Sequence, residues 1–581
     1  YVSLGRQLLP YVVNYRADIE SQLSAGIGQQ VQIGSLQGDW NRFNPIISLQ
    51  QVLIFPVGAS ESAQVMLLDN LSLELDTWSS LISRRWVLAN IEVVNPEFTL
   101  AEQDDGSWQV RGFETSADTA MNPEQIFDLV SRINNLVLSN MTVTLLRNDG
   151  RTTRLERSRL RLQNSDQQHF LHLDAWQPDV VGPLSVAAEV SGDSFAELSG
   201  LLYLLVPGND YSELIAGRYG DALDLHAFDG SGEVWIEIEQ GQLQAVQGSA
   251  AVNSIAINTI GVNSIATNTI GVNTIGVNTI AQGQPASAEA VEVENLVTRF
   301  FARKTGEQSV NGSDAAPSWE FLLQDLGFQW NDLLWRESDV HISYQSQQAL
   351  QMRADVFNIG IATGLVAQLD LLDAEADAQL AEHNPRGEMQ NLDMWLSLQD
   401  SAALQSAPSE QDAFRLVANL NDVAVSARGP TPALWGVDGF AELSFNAAAQ
   451  TLQGTVEVES SRFMIQLPTL FNDAWAYDHV NGRVRFSLDL SQGQHLRLVS
   501  SVIVAESEAV DGRAMFSTEF RKTTDEDRTS TLELMVGALE ADVSRKSLYL
   551  PTAPRVSDNL RNVMNWVNDA VLNGRAVESG V

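Results

Sequence analysis

Seven histidines are the first candidates for chemistry in this chain: His169, His172, His226, His341, His383, His479 and His495. Only His169 and His172, in QQHFLHLD, lie close together. Three residues apart on a strand, they point to opposite faces, so they make no metal pair and read as solvent-facing strand histidines. The run DAEADAQLAEHN (373–384) puts Asp373, Glu375 and Asp377 at the first, third and fifth places of a calcium loop. It lacks the glycine at the sixth place and carries Asn384 rather than glutamate at the twelfth, so it reads as a solvated helix face. The absence of cysteine excludes disulfides, thiolate nucleophiles and Cys-ligated metals. Walker A, G-x-S-x-G, H-E-x-x-H and dinucleotide glycine patterns are all missing. The residues predict no enzyme, no cofactor and no metal.

What remains must lie in the elements. At 581 residues, 44% apolar and 19% charged, the chain is built to fold rather than to stay disordered. Its formal charge is −39, and Lys304, Lys522 and Lys546 are the only lysines. Such a surface repels nucleic acid. Lack of cysteine is compatible with an oxidising bacterial envelope. No apolar run reaches the roughly 18 residues that a membrane-spanning helix needs, although a membrane anchor upstream of Tyr1 is expected.

The opening, LGRQLLPYVVNYRADIESQLSAGIG, predicts a helix over 1–27, with Leu8, Val12, Ile19 and Leu23 near one face and Gly26 at its end. It is expected to cap the first strands, to lie near the membrane surface, or to do both. Short alternating strands follow for hundreds of residues, bounded by Gly, Asn, Asp or Pro. Further helices are predicted at 210–218, 361–382 and 557–572. Tryptophans such as Trp40, Trp86, Trp330, Trp335 and Trp475 fall near strand ends, where ordinary rim packing is expected.

One face of strand after strand is aliphatic and the other polar. In the first part of the chain the predicted apolar lining is Val31 and Ile33, Leu71, Leu73 and Leu75, and Val143 and Leu145. It continues with Val186 and Val190, then Val234, Ile236 and Ile238. In the last part it comprises Val484, Phe486, Leu488 and Leu490, then Leu496, Leu498, Val502 and Val504, and Leu532 and Leu534. Glu233, Glu237, Arg485 and Asp489 alternate with these on the wet side. A long meander with a continuous apolar face must cover it, either with a second sheet or by curling into a gutter. The pattern alone leaves both open.

Between Gln240 and Ala288 no residue is charged, and 251–280 repeat a five-residue beat, AVNSI AINTI GVNSI ATNTI GVNTI GVNTI. On a helix this beat would spread isoleucine round every face. Read as I-G-V-N-T it puts two apolar residues on one side per repeat, too few turns to stack alone. We expect an insert over 251–282 that adds strand layers between two parts of the sheet, 28–250 and 283–581.

Several blocks stand in a recognisable order. GQQVQIGSLQGDWNRFNPIISLQQVLI (28–54) carries G-x-x-V-x-I-x-x-L-x-G-x-W-x-x-F-x-P, and DNLSLELDTWSSLISRRWVLANIEVVNPEFTL (69–100) carries D-x-W-x-S-L before R-W. With VEVENLVTRFFARK (291–304), SWEFLLQDLGFQW (318–330), LRLVSSVIVAESEAVDGRAMFSTEF (496–520) and YLPTAPRVSDNLRNVMNWVNDAVLNG (549–574), they make the chain resemble the AsmA-like superfamily, in its YhdP branch. The likeness covers nearly the whole chain. It implies a mainly β fold: an elongated, curled antiparallel sheet, a U-shaped gutter with an N-terminal helix and a few short helices. It also implies a periplasmic protein held in the Gram-negative inner membrane by a helix upstream of this sequence. Such a protein would carry phospholipid along its groove to the outer membrane, with an outer-membrane or envelope protein as a further partner. The residues leave one alternative, an elongated structural or adhesive β-protein of the envelope with no ligand.

Overall fold

The computed structural model describes most of residues 16–259 and 290–580, leaving out 1–15, 260–289 and shorter segments, chiefly 56–65, 112–126, 307–317, 400–411 and 551–557. The protein is mainly β, with thirty strands among the described residues and a few short helices. Nearly every pairing is antiparallel between strands adjacent in sequence, as the run of alternating segments predicts. The pentad region from 260 onward lies outside the described residues. Its first eight or so residues continue strand Gln242–Thr259.

Two-residue turns make many of the connections. Gln240 and Gly241 (φ +50° and +67°), and Asn331 and Asp332 (φ +46° and +64°), both have positive φ at the two central places. That is the turn whose twist matches the right-handed twist of the strands it joins. The chain forms two compact units, residues 1–216, 227–254 and 300–303 in one and 217–226, 255–299 and 304–581 in the other.

In the first unit, strands Gln30–Asn41, Asn44–Phe55, Met66–Leu75 and Leu88–Val94 form a meander. The next step departs from it. Leu88–Val94 and Glu97–Glu102 both lie parallel to Asn135–Leu146, with Ile91 beside Leu136 and Phe98 beside Val143. The two short strands are one line broken at Asn95-Pro96, where Asn95 turns to φ +56°. Antiparallel order then resumes through Thr152–Ser165, Gln168–Trp176, Leu184–Ser191, Ser199–Asp210 and the latter half of Leu223–Glu239.

Leu49, Ile33 and Val52 are the most deeply buried aliphatics of this unit, at 0%, 1% and 2% exposure. Side chains from strands as far apart in sequence as Val31, Leu68, Met141 and Leu173 meet in that one cluster, so the sheet curls around it. Helix Arg16–Ile27 closes the free edge of the first strand. Ile19 and Leu23 pack into the cluster. Ser24 Oγ accepts the Val31 N–H at 2.9 Å, Glu20 Oε1 accepts the Ile33 N–H at 2.8 Å, and Arg16 Nη1 donates to the Gly34 carbonyl at 3.2 Å. Polar side chains thus replace the missing neighbour strand, whose unpaired groups would otherwise offer a template for association. The described part of the predicted 1–27 helix, Arg16–Ile27, thus caps the first strand, while Leu8 and Val12 lie outside the described residues.

In the second unit the meander runs from Ser318–Trp330 through Leu333–Gln345, Ala349–Asn358, Arg386–Ser397, Phe414–Val425, Ala433–Asn446 and Thr451–Ser460. It continues through His479–Asp489, Gln494–Ser500, Val510–Lys522 and Arg528–Asp542 to Arg575–Gly580. The predicted 361–382 helix is two helices, Ile359–Gln368 and Ala374–His383. The calcium-like run is therefore largely helical rather than a loop. The other predicted helices are Ser212–Ile215 and Asp558–Ala570.

Several strands also carry a feature that alternation does not foretell. Asn140, Arg157, Asp325, Asn391 and Asp422 sit mid-strand in the left-handed conformation, with φ between +50° and +53°. Each coincides with a register shift against a neighbour. Asn and Asp tolerate this conformation better than most residues, and an extra residue of this kind bends its strand and increases its twist. Bulges repeated across neighbouring strands curl a sheet that would otherwise stay open.

Candidate functional site

Each of the two units carries an apolar sheet face. In the second unit it can be followed pair by pair: Phe321, Ile342, Met352, Met394, Leu416 and Leu443 oppose one another in turn. Gly454, Phe486, Leu498 and Thr518 extend the row. A parallel row of Tyr344, Leu350, Leu396, Phe414, Phe445, Leu452, Leu488, Leu496 and Phe520 lies two residues along each strand. Thr518 is the only polar side chain in the first row, and no charged group enters either. These residues are half-buried rather than sealed. Deeper in, small or short side chains occupy the tightest part, with Ala418 at 1%, Ala354 at 3% and Leu392 at 3% exposure.

The opposite face is charged. Arg353 pairs with Asp393 at 3.2 Å, Arg415 with Glu442 at 3.5 Å, and Arg483 with Glu457. These exposed pairs each add little stability. They keep that face wet and leave the apolar side as the one that must find a partner.

Helix Ile359–Gln368 folds back onto part of this face. Asn358 Oδ1 caps it by accepting the Ile361 N–H at 3.0 Å. Ile361, fully buried, packs among Val291, Phe328, Trp330 and Trp335. Trp330 Nε1 donates to Gln368 Oε1 at 3.1 Å, and Gln368 Nε2 donates to the Ala290 carbonyl at 3.2 Å. Gly364 lets the helix lie directly on the Trp330 ring, since a Cβ there would come within 2.1 Å of it. The helix, IGIATGLVAQ, has no charged residue on any side.

In the first unit the rows are Leu160, Leu173, Val186, Leu204 and Val234, and beside it Leu162, Leu171, Ala188, Leu202 and Ile236. Of the lining residues expected from sequence, Val31 and Ile33 are buried in the core cluster, and Leu71, Leu73 and Val143 pack against it. Leu75 and Leu145 follow on the same strands, half-buried. Val186, Val190, Val234, Ile236 and Ile238 share the face just described, Val190 and Ile238 meeting across Gly200. In the second unit Val484, Phe486, Leu488, Leu496 and Leu498 lie on one face. Leu534 opposes Phe516 but is 53% exposed, and Leu532 is paired with Thr518, its side chain lying outside the described residues.

Three expected residues do not join them. Leu490 lies past the end of its strand, 40% exposed. Val502 sits in the break between Gln494–Ser500 and Ile503–Glu506, 53% exposed. Val504 opposes Asn481 and Arg513, and so faces the polar side, while Ile503 takes the apolar one. The two-residue break resets the alternation that LRLVSSVIV carries on paper.

The histidines separate as the spacing predicts, with one correction. His172 is exposed and bonds Asp174 at 3.1 Å. His169 is buried rather than solvent-facing: its ring nitrogens bond Asn164 Oδ1 at 2.8 Å and the Gly192 carbonyl at 2.9 Å. Trp330 and Trp335 are core residues, and Trp475 packs at a tilt against Phe471 and donates to the Leu548 carbonyl at 2.8 Å. Among the described residues no three His, Asp or Glu converge on a metal-sized site.

Sequence reasoning missed most of the face between 318 and 446. A signal for it exists. At the bulges the apolar spacing slips from two residues to three, with a polar residue just before the second apolar one: LSNM (138–141), VENL (293–296), LQDL (323–326), MQNL (389–392) and LNDV (420–423). LQQV (49–52) and LDNL (68–71) have the same form. In each, both apolar ends belong to the inner face, as with Leu49 and Val52 or Leu138 and Met141. Strict alternation assigns one end of each to the wrong side.

Among the described residues no helix is long and apolar enough to cross a membrane. No curated protein matches the chain, and no solved structure does. The family model described as YhdP protein matches residues 1–581. Matched over its whole length, this chain, with its apolar sheet face and bulged strands, belongs to the YhdP family.

Proposed function

We propose that the protein is a non-enzymatic phospholipid conduit of the Gram-negative envelope. Held at the inner membrane, it carries lipid along its apolar face across the periplasm towards the outer membrane and so sustains the outer-membrane permeability barrier. The observation that supports this reading is the half-buried apolar row from Phe321 to Leu498, free of charge over nine successive strands. Each methylene withdrawn from water is worth about 0.8 kcal/mol, so a 16-carbon chain left in water costs on the order of 10 kcal/mol. A repeated aliphatic lining gives nearly the same free energy at each strand and lets a chain advance without a deep trap. The task needs no acid, base or nucleophile.

Purification in mild detergent followed by mass spectrometry of extracted lipid tests the proposal, together with a photo-crosslinking residue at Leu443 or, on the other face, Arg415. Phospholipid crosslinked from Leu443 and not from Arg415 is the expected result. Lipid-free protein, or equal crosslinking from both faces, favours a structural envelope protein instead.

A further inference from the structure

The outer face of the first unit holds a second site. Between residues 147 and 161 a chain of net charge −39 carries six arginines, Arg147, Arg151, Arg154, Arg157, Arg159 and Arg161. Strand register carries this basic strand into an aromatic one. Arg161 opposes His172, His172 opposes Ala187, Ala187 opposes Tyr203, and Tyr203 opposes Trp235. Ala187 leaves a dip between Arg161 and His172 on one side and the aromatic pair on the other. The result is a depression of about 340 Å³, bordered along the next row by Gln163, Phe170, Glu189 and Leu201. That volume falls within the roughly 300–1,000 Å³ of small-molecule sites.

His172 is held by Asp174, but several other groups around the depression are not used by the fold. Arg161, Gln163 and Glu189 are exposed and make no hydrogen bond or ion pair among the described residues, whereas Arg147 is paired with Glu102, Arg151 with Asp149 and Arg154 with Glu156. The Tyr203 hydroxyl and the Trp235 indole N–H likewise have no partner among the described residues, and the two rings lie 5.1 Å apart and brace each other. Phe170 and Leu201 remain 36% and 46% exposed.

We infer that this depression binds a saccharide bearing a carboxylate. The apolar C–H face of a sugar ring stacks on Tyr203 and Trp235, as rings with an apolar body and a polar tip favour. The ring hydroxyls meet Gln163, Glu189 and the Tyr203 hydroxyl, and the carboxylate meets the planar guanidinium of Arg161, which suits it bidentately. An acyl chain fits poorly here, because Glu189 and Glu237 alternate with the apolar residues and would lose hydration against it. The site is independent of the lipid reading, since it lies on the other face of the sheet.

The test uses N-acetylmuramic acid and N-acetylglucosamine, which share a ring and differ in the lactyl carboxylate, with saturation-transfer NMR and calorimetry on the whole chain. The acidic sugar is expected to bind at least fivefold more tightly than the neutral one. Arg161→Gln, an exposed change, should bring the acidic sugar down to the neutral level and leave the neutral sugar unchanged. Trp235→Ala should remove both, with circular dichroism confirming the fold. Absence of saturation transfer to either sugar, or equal affinity for the two, overturns the proposal. So does binding to phosphatidylglycerol vesicles that depends on Arg161 while neither sugar binds, which would make the patch a lipid-surface contact.

Discussion

Placing a carboxylate at Val484 tests the conduit at one point. Val484 lies on the apolar face between Val456 and Ser500, and the next residue, Arg485, lies on the charged face opposite Thr455. Neighbouring strands are about 4.8 Å apart, and with carbon–carbon bonds of about 1.5 Å an extended acyl chain spans that distance with roughly four methylenes. Crossing one strand therefore exchanges about 3 kcal/mol of apolar contact. A hydrated aspartate at Val484 removes that contact for one strand, raising the barrier by about 3 kcal/mol, or on the order of 100-fold in rate. Because Val484 is only half-buried, the carboxylate can reach water and the fold should survive. The assay is lipid photo-crosslinking from Leu443 and from Phe520, on either side of the change, in membranes carrying the full-length protein. Val484→Asp should leave crosslinking at Leu443 and remove it at Phe520, if lipid enters from the N-terminal end as proposed. Val484→Leu should behave as the parent, and Arg485→Asp, one residue away on the other face, should have no effect. If Val484→Asp and Arg485→Asp behave alike, the face is not the path.

The edge cap predicts that Glu20→Ala and Ser24→Ala each cost about 1–2 kcal/mol, with faster hydrogen exchange at Ile33 and Val31 respectively; unchanged exchange would show that water serves the edge equally well. At the bulge in Arg386–Ser397, Asn391→Val should cost about 1–3 kcal/mol because a β-branched residue resists positive φ, whereas Asn391→Gly should be near neutral by thermal unfolding. Asp76 caps helix Thr77–Ser83, and hydrogen bonds from the Ser79 side chain and backbone hold its carboxyl below the usual 3.8. Its folded pKa being lowered, its contribution is complete above that value and is lost as pH falls through the folded pKa. The stability gap between parent and Asp76→Ala should accordingly be constant near neutrality and shrink in acid below about pH 4; a gap that persists there would assign the effect to something other than the ionised cap.

What could be read in the sequence follows from periodicity. Val234, Ile236 and Ile238, or Phe486 and Leu488, sit two apart in segments without a break, and a period of two has one structural meaning. Strand identity, the polar and apolar faces and the N-terminal helix therefore needed only local residues, and the ordered motifs from Gly28 to Trp86 carried the family. Where the chain breaks its own beat, local reading fails. Val502 fell into a two-residue break between strands and Val504 changed sides because that break resets the alternation, and Leu326, Leu392 and Val423 were missed because a left-handed Asn or Asp makes the spacing three.

Other features belonged to the tertiary structure alone. The parallel placement of Asn135–Leu146 beside two broken strands joins residues some forty positions apart, and nothing local specifies such a partner. The helix at the first edge is fixed by Glu20 and Ser24 reaching backbone groups that no described strand pairs. Arg161 and Trp235 share one depression only because four successive pairings bring them into line. Sequence determined which face of each strand is apolar, since that depends on a residue and its near neighbours. Register and curl determined what those faces enclose, since they depend on which strands meet and where each one bends.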